Sequence, residues 1–357
     1  MSDIREVITG REVRVDYASI EQTLDELWRI EKTEGVAVTR AALWNVVAHA
    51  SNARDHDEAS DTLARAAAAV PQRTIVIRAD PTAPAEMAAW ISANCHLLGE
   101  GKQVCSEEIS IVAGGDHVQR VPPLVSALLI PDMPVAFWWL GDLPHGHASY
   151  VHDLLESADR LIVDSSQFDS PTDLEIVEGV GKRTDTAAAD LNWIRLDAWR
   201  AATASVFDPP QMRDRLGTLR QIRVLSGVSD ASYFGESVQA LLFASWLIAQ
   251  AGLDIDGDGG ASGVEVLFEV RPSQPPGVAR VDLELKESSA AIERDLERGV
   301  LVTNVDGRID APEAVTRTSA RKTDQLIVRE LQRPHGDPML TKVLPIAIRM
   351  AKRLSRK

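Results

Sequence analysis

The sequence predicts an α/β fold: a layered, mostly parallel sheet in an N-terminal domain, then a second α+β domain containing an antiparallel meander. Three observations predict it. Between residues 70 and 166, stretches with helical spacing alternate with short apolar runs, which is the pattern of βαβ units. Those runs, such as "RTIVIRAD" and "PVAFWWLG", are apolar nearly throughout, as strands covered on both faces are. Later in the chain, "VEVLFEV" and "ARVDLELKE" alternate apolar and polar residues instead, as antiparallel strands with one wet face do. A cluster of Ser, Asp and Pro at residues 165–173 marks the boundary. It separates an N-terminal domain, 1–168, from a C-terminal domain, 169–357, that ends in a basic amphipathic helix.

Element by element, "SIEQTLDELWRIEK" sets Ile20, Leu24, Leu27 and Trp28 at helical spacing behind Ser19 as cap. "RAALWNVVAHA" reads equally as strand or helix start. "DEASDTLARAAAAV" predicts an Ala-rich helix capped near Asp57 or Ser60, stopped by Pro71, with the strand "RTIVIRAD" after it. "TAPAEMAAWISANCHLL" predicts a further helix with Pro84 in its first turn, and "CSEEISIVAGG" the next strand. "VPPLVSALLI" and "ASYVHDLLESA" read as helices around the strand "PVAFWWLG", and "DRLIVDSS" as a strand ending in polar residues. In the second half "PTDLEIVEGV" and "DLNWIRLDAWRAATASVFD" read as helical, "QIRVLSG" as a strand and "YFGESVQALLFASWLIAQAGL" as a long apolar helix. The strands already quoted follow, "GVLVTNVDG" continues the meander, and two helices broken at "RPHGDP" finish the chain.

The net charge of −15 argues against a nucleic-acid binder, whose affinity would rest on neutralising phosphates. No run of 18 apolar residues is present to span a membrane, and the charged N-terminus "MSDIREVITGREVRVD" lacks a signal-peptide core. The expected compartment is cytoplasmic. Ten Lys or Arg against three Asp or Glu fall between Arg321 and Lys357, so a basic end follows an acidic body.

Successive strand residues face opposite sides, so Trp138 and Trp139 in "PVAFWWLG" require that both faces of their strand be covered. In "DLNWIRLDAWR", Trp193 and Trp199 interleave with Asp190, Asn192, Arg195, Asp197 and Arg200. Trp beside Arg is the composition of interface anchors. The alternative is a helix whose tryptophans fill the core. As anchors they would tolerate Trp193→Ala with Arg195→Ala without unfolding. Cys95 and Cys105, ten residues apart, could form a redox pair or pack as free thiols. Asp254, Asp256 and Asp258, then Gly259 and Glu265, match the spacing of a calcium loop, although a strand pattern stands where the second helix should begin. A plain acidic turn is the other account. His145, His147 and His152 lie near Asp142 and Asp153, and a solvated turn competes there with a metal site. "GVGKRTD" fails as a phosphate loop, and no G-x-G-x-x-G joins a strand to a helix.

Taken in order, "LDELW", "RAALWN", "PQRTIVI", "CSEEISI", "VPPLVSALLIPDMPVAFWWLGDLP", "ADRLIVDSSQF", "DLNWIRLDAWR", "LLFASWLIAQAGL" and "TDQLIVRELQRPHGDPMLTKVLPIA" resemble the glucose-6-phosphate dehydrogenase assembly proteins, the OpcA family. The resemblance covers nearly the whole chain. It implies a non-catalytic assembly factor that binds glucose-6-phosphate dehydrogenase and promotes its active oligomer in the oxidative pentose phosphate pathway. It also implies a link to redox control, with no cofactor expected. Trp138, Trp139, Asp190, Asn192, Trp193, Arg195, Trp199 and Arg200 carry over as signature positions, either at the partner interface or holding the protein together. Two further functions compete: a sugar-phosphate enzyme using Asp164, Ser165 and Ser166 at a strand's carboxyl end, and a calcium-controlled regulator.

Overall fold

The computed structural model describes residues 12–33, 38–98, 102–141, 149–228, 235–256, 260–261, 263–272, 276–306, 314–318 and 321–355. In chain order the elements begin β1 (Val13–Val15), α1 (Ile20–Thr33), β2 (Val38–Arg40), β3 (Trp44–Ala50), α2 (Ala53–Ala67), β4 (Gln72–Asp80) and β5 (Glu86–Leu98). They continue with β6 (Lys102–Gly114), α3 (Val121–Leu128), β7 (Val135–Trp139), α4 (Ser149–Glu156), β8 (Arg160–Val163), α5 (Leu174–Thr184) and β9 (Ala187–Asp190). Then come α6 (Leu191–Arg195), α7 (Asp197–Val206), α8 (Pro210–Arg213), β10 (Leu219–Val228), α9 (Gly235–Gln250) and β11 (Glu265–Pro272). The chain closes with β12 (Gly277–Leu285), β13 (Ser289–Asp295), β14 (Val300–Asp306), β15 (Ala314–Arg317), α10 (Thr323–Leu331) and α11 (Pro338–Leu354).

The elements sort into two compact units. One runs through Val163 and includes Val180–Ala189 and Lys322–Gly336; the other comprises Asp164–Gly179, Asp190–Arg321 and Asp337–Lys357. The expected passage near 165–173 is thus the first of several, and the C-terminal half is not one continuous domain. Helix α10 belongs with the first unit, where it packs on α2.

The first unit is built on a mixed sheet ordered β1-β5-β6-β4-β3-β7-β8-β9, with β2 also on β6. From β6 through β8 neighbouring strands are parallel. All residues of β3, β7 and β8 are buried, so the continuous apolar runs do report strands covered on both sides. Two expectations fail here. "TAPAEMAAWISANCHLL" is a strand, because β5 pairs antiparallel with β6 from Glu86 opposite Gly114 to Leu98 opposite Lys102. Ala89, Ile91 and Ala93 all point into the core. Alanine's helix preference amounts to tenths of a kcal/mol per residue, and a complete ladder with a buried face outweighs it. Helix α2 starts earlier than expected, because Asn52 rather than Asp57 or Ser60 is its cap and accepts from the Asp55 N–H.

A buried side chain fixes the turn that precedes β7. Asn45 donates to the carbonyls of Ile130 and Met133 at 3.0 and 3.2 Å and accepts from the Ile130 N–H at 2.9 Å. Pro131 and Asp132 form the corner of this turn, and Asp132 holds a φ of 63°. That is left-handed backbone, which Asp adopts more readily than most residues.

The second unit carries a six-stranded sheet ordered β11-β10-β12-β13-β14-β15. The meander is antiparallel from β10 through β15, with the exception of β11, which lies parallel to β10 on its far side. Strands β11 and β12 are therefore not a hairpin, although the turn-rich "RPSQPPG" joins them. Helix α9 crosses β10, β11 and β12, and α7 crosses β13, β14 and β15. "DLNWIRLDAWRAATASVFD" divides at Leu196 into α6 and α7. Helix α11 buries the stripe Leu340, Val343, Leu344, Ala347 and Ala351 and packs on α9, while Leu354 at its end is exposed. Its Lys352 pairs with Glu175 at 2.9 Å, both within this unit.

Candidate functional site

The signature stretch "DLNWIRLDAWR" centres on a buried polar network in the second unit. Asp190 caps α6 by accepting from the Asn192 N–H at 2.9 Å. The same carboxylate accepts from the Ser165 N–H at 3.0 Å and the Ser165 hydroxyl at 2.6 Å. Asn192 donates to the Ser165 oxygen at 3.1 Å and accepts from Gln239 of α9 at 2.9 Å. Gln239 in turn accepts from the Val278 N–H at 2.8 Å, at the start of β12. The adjoining Gly277 has a φ of 95°, and a Cβ there would collide with the side-chain amide oxygen of Gln239, so glycine is required twice over. Burial pushes the Asp190 carboxyl up to about 6, with Asp164 adding to the rise and the Ser165 and Asn192 donors opposing it.

Asp164 and Arg195 form the charged flank. Two guanidinium nitrogens of Arg195 meet the two carboxylate oxygens of Asp164 at 2.7 Å each, and the Ser166 hydroxyl donates to Asp164 at 2.6 Å. Burial alone would raise the Asp164 pKa, but Arg195 and Ser166 hold it below the usual carboxylate range. Trp193 donates its indole N–H to Asp337 at 2.8 Å, and Asp337 also caps α11 through Met339 and Leu340. Arg200 lies over the Trp193 ring at 3.6 Å and bonds Asp197. Arg294 lies over Trp199 at 5.9 Å.

These contacts decide where the predicted anchors are. Trp138, Trp139, Trp193 and Trp199 are 3, 5, 1 and 3% exposed, so no ring is presented to a partner. Asp190 and Asn192 are buried as well, while Arg195 and Arg200 keep 30 and 13% of their side chains accessible. The core account of this stretch holds. Trp193→Ala would remove a buried ring and its hydrogen bond to Asp337, which costs the fold about 3–5 kcal/mol rather than sparing it. Asp164, Ser165 and Ser166, the alternative ligand-holding set, are occupied with Arg195, Asp190 and one another.

In the first unit Trp139 stacks on His49 of β3, with ring centroids 4.1 Å apart and planes 9° from parallel. His49 Nε2 lies 3.2 Å from the Tyr150 hydroxyl, and burial lowers the imidazole pKa to about 4, leaving it neutral. His49 and Trp139 stand at the carboxyl ends of parallel strands, where doubly wound sheets hold dinucleotides. The order β6-β4-β3-β7-β8 matches that arrangement, so the first turn, "HASNARD", can be tested against it. The turn has no glycine for close approach of a pyrophosphate. Asn52 closes the N-terminus of α2, and its amide also bonds the Asp55 carboxylate at 2.8 Å. A carboxylate occupies the place where a pyrophosphate would need N–H donors, so these residues do not fit a dinucleotide.

The remaining candidates are dispersed. Cys95 and Cys105 face each other across β5 and β6 and are joined as a disulfide, with Cys105 buried. Asp256 accepts from the Gly260 N–H at 2.6 Å, within its own loop. Asp254 is exposed, Glu265 opens β11 and accepts from Gln221 at 2.6 Å, and Asp258 and Gly259 lie outside the described residues. The strand pattern after the loop is a real strand, and among the described residues no group of three His, Cys, Asp or Glu is placed to hold a metal. Asp142, His145 and His147 also lie outside the described residues, and His152 pairs with Glu156 one helical turn on at 3.3 Å. "GVGKRT" continues α5 instead of forming a loop. Among the described residues no helix is long and apolar enough to cross a membrane.

Several structural residues escape sequence reasoning. Gln239 and Asp337 lie far along the chain from the stretch they complete, and nothing local marks them. Arg73 and Glu107 pair at 2.8 Å, both buried, at a cavity of about 470 Å³ that Arg40 and Met133 also line. Arg73 stands between Gln72 and Thr74, and Glu107 between Ser106 and Glu108, so nothing in their local sequence marks either as buried.

Comparison with known proteins agrees with the signature stretches. Residues 63–178 match the family described as glucose-6-phosphate dehydrogenase subunit N-terminal domain, and 186–344 match its C-terminal domain. The putative OxPP cycle protein OpcA of Synechocystis is 32% identical over 166 residues, covering 45% of this chain and 33% of that protein. Its counterpart in Synechococcus elongatus is 31% identical over 170 residues, 46% of this chain and 36% of that protein. The match therefore spans about a third of these curated relatives' length. Among solved structures, levoglucosan dehydrogenase in complex with NADH and L-sorbose aligns over 88% of this chain and 98% of its own at 12% identity, with a TM-score of 0.46. With both of its domain descriptions matched across most of its length, this chain belongs to the OpcA family of glucose-6-phosphate dehydrogenase assembly proteins.

Proposed function

We propose that this chain is a non-catalytic cytoplasmic partner of glucose-6-phosphate dehydrogenase, which binds the enzyme and favours its active oligomer in the oxidative pentose phosphate pathway. The observation that carries this is the family match over residues 63–178 and 186–344, described in both halves as a subunit of that dehydrogenase. The disposition of side chains supports it. Asp164, Asp190 and Arg195, which an enzyme would aim at a substrate, are committed to one another and to backbone donors. The turn that would cradle a dinucleotide carries Asn52 and Asp55 instead of glycine, which supports a role without a dinucleotide at that turn.

Activation of this kind is a shift of populations. The chain must bind the active form of the dehydrogenase more tightly than the inactive one, and a tenfold shift takes about 1.4 kcal/mol of differential affinity. The test mixes the purified chain with the dehydrogenase of the same host and measures co-elution and rate together. Co-elution with a raised rate is expected. A dehydrogenase that ignores the chain, or turnover of a sugar phosphate by the chain alone, overturns the proposal.

A further inference from the structure

One face of the six-stranded sheet in the second unit has no helix on it among the described residues. Ile222, Val224, Val281, Leu283, Ile292 and Leu301 point inward and are buried beneath α9 and α7. The register fixes what the opposite face displays. At one end a row runs through Glu265, Gln221, Glu284, Ser289 and Asp306. Next comes Leu267, Arg223, Asp282, Ala291 and Asn304, then Glu269, Leu225, Arg280, Glu293, Val302 and Val315. Arg271, Asp295 and Arg317 stand at the far end.

Two properties distinguish this face from an ordinary wet one. Leu225, Leu267 and Val302 are only half-buried and Val315 is 47% exposed, so apolar groups stand among the charges where polar ones would suffice. The patch of six strands by about seven residues measures roughly 25 by 25 Å, close to one side of a stable protein interface. It also carries seven carboxylates against four guanidiniums. Stacked on a second copy of itself the face would bring fourteen carboxylates against eight guanidiniums, and like charges across an interface are costly. Its complement is a different protein, with an excess of Arg and Lys on its surface.

We infer that this open sheet face is where the dehydrogenase docks, through a basic surface of its own. The inference rests on the function proposed above and adds the surface. Glu284→Lys with Asp306→Lys reverses two outward carboxylates without touching the core. We expect affinity for the dehydrogenase to fall at least tenfold with the melting temperature unchanged. Wild-type affinity should also weaken with salt, while a control reversal on α2, Glu58→Lys with Asp61→Lys, keeps binding intact. If the wild-type chain does not bind the dehydrogenase, the functional proposal fails and this one with it. If it binds and the reversed sheet variant binds equally well, the docking surface is wrong and the function stands. A wild-type chain that is dimeric in solution, and monomeric in the reversed variant, assigns the face to self-association and likewise overturns the inference.

Discussion

Asp190 shows how one buried carboxyl links chemistry to stability. Its pKa of about 6 stands above the ordinary value of 3.8, chiefly because it is buried. Between pH 4 and 6 the folded chain therefore holds a proton that the unfolded chain has released, so stability is present at low pH and is lost as pH rises through that window. The difference amounts to about 3 kcal/mol. Asp190→Asn keeps the two backbone acceptances, of which one is the cap, but cannot ionise. Urea unfolding at a series of pH values should show this loss in wild type and not in the variant, which at pH 7 is at least as stable. A variant with the wild-type slope would mean that Asp190 is ionised throughout. Residue chemistry was legible in the sequence only in part. "DLNW" stood out by composition, yet its function as a cap and network hub depends on Ser165, Gln239 and Asp337, brought together by tertiary structure.

Among the elements, hydrophobic period identified most strands and helices, and it failed where local preference opposed the tertiary context. Strand β5 is the clear case: its alanines favour a helix, and only β6, which lies beyond it in the chain, reveals Ala89, Ile91 and Ala93 as one face. The parallel placement of β11 escaped for a similar reason, since alternation reports a wet face and not a strand's neighbours. The β5–β6 hairpin also yields a prediction. Cys95 and Cys105 are bonded across a separation of 10 residues, and closing a loop of that size in the unfolded chain stabilises the fold by about 2–3 kcal/mol. Reductant should lower the urea midpoint of wild type accordingly and leave a Cys95→Ser, Cys105→Ser variant unaffected. An unchanged wild-type midpoint would place the hairpin's stability in its ladder alone. Because a reducing compartment opposes such bonds, the oxidised fraction in cell extracts is the companion measurement.

For the whole molecule, the two units each hold a buried group, and the two groups titrate with opposite effect on stability. His49 in the first unit has its pKa lowered from 6.5 to about 4 by burial. Below pH 6.5 the unfolded chain gains a proton that folded His49 refuses, so that unit loses stability as pH falls. Asp190 in the second unit acts the other way. Hydrogen exchange, corrected for intrinsic rates, should show β3, β4 and β7 less protected at pH 5 than at pH 7 and the region from α6 to β10 more protected. Parallel behaviour in the two units would refute one of the two assignments.

The return of Lys322–Gly336 to the first unit has a consequence for synthesis. Buried Arg160 donates to the carbonyls of Glu330 and Arg333 at 2.8 and 3.1 Å, and Trp44 donates to the Leu331 carbonyl at 3.0 Å. Until the ribosome has made those last turns, a nascent first unit carries a guanidinium and an indole with no acceptors. Its sheet is sealed only once Glu330, Leu331 and Arg333 have been made, and a gene cut after residue 168 leaves both donors without those acceptors.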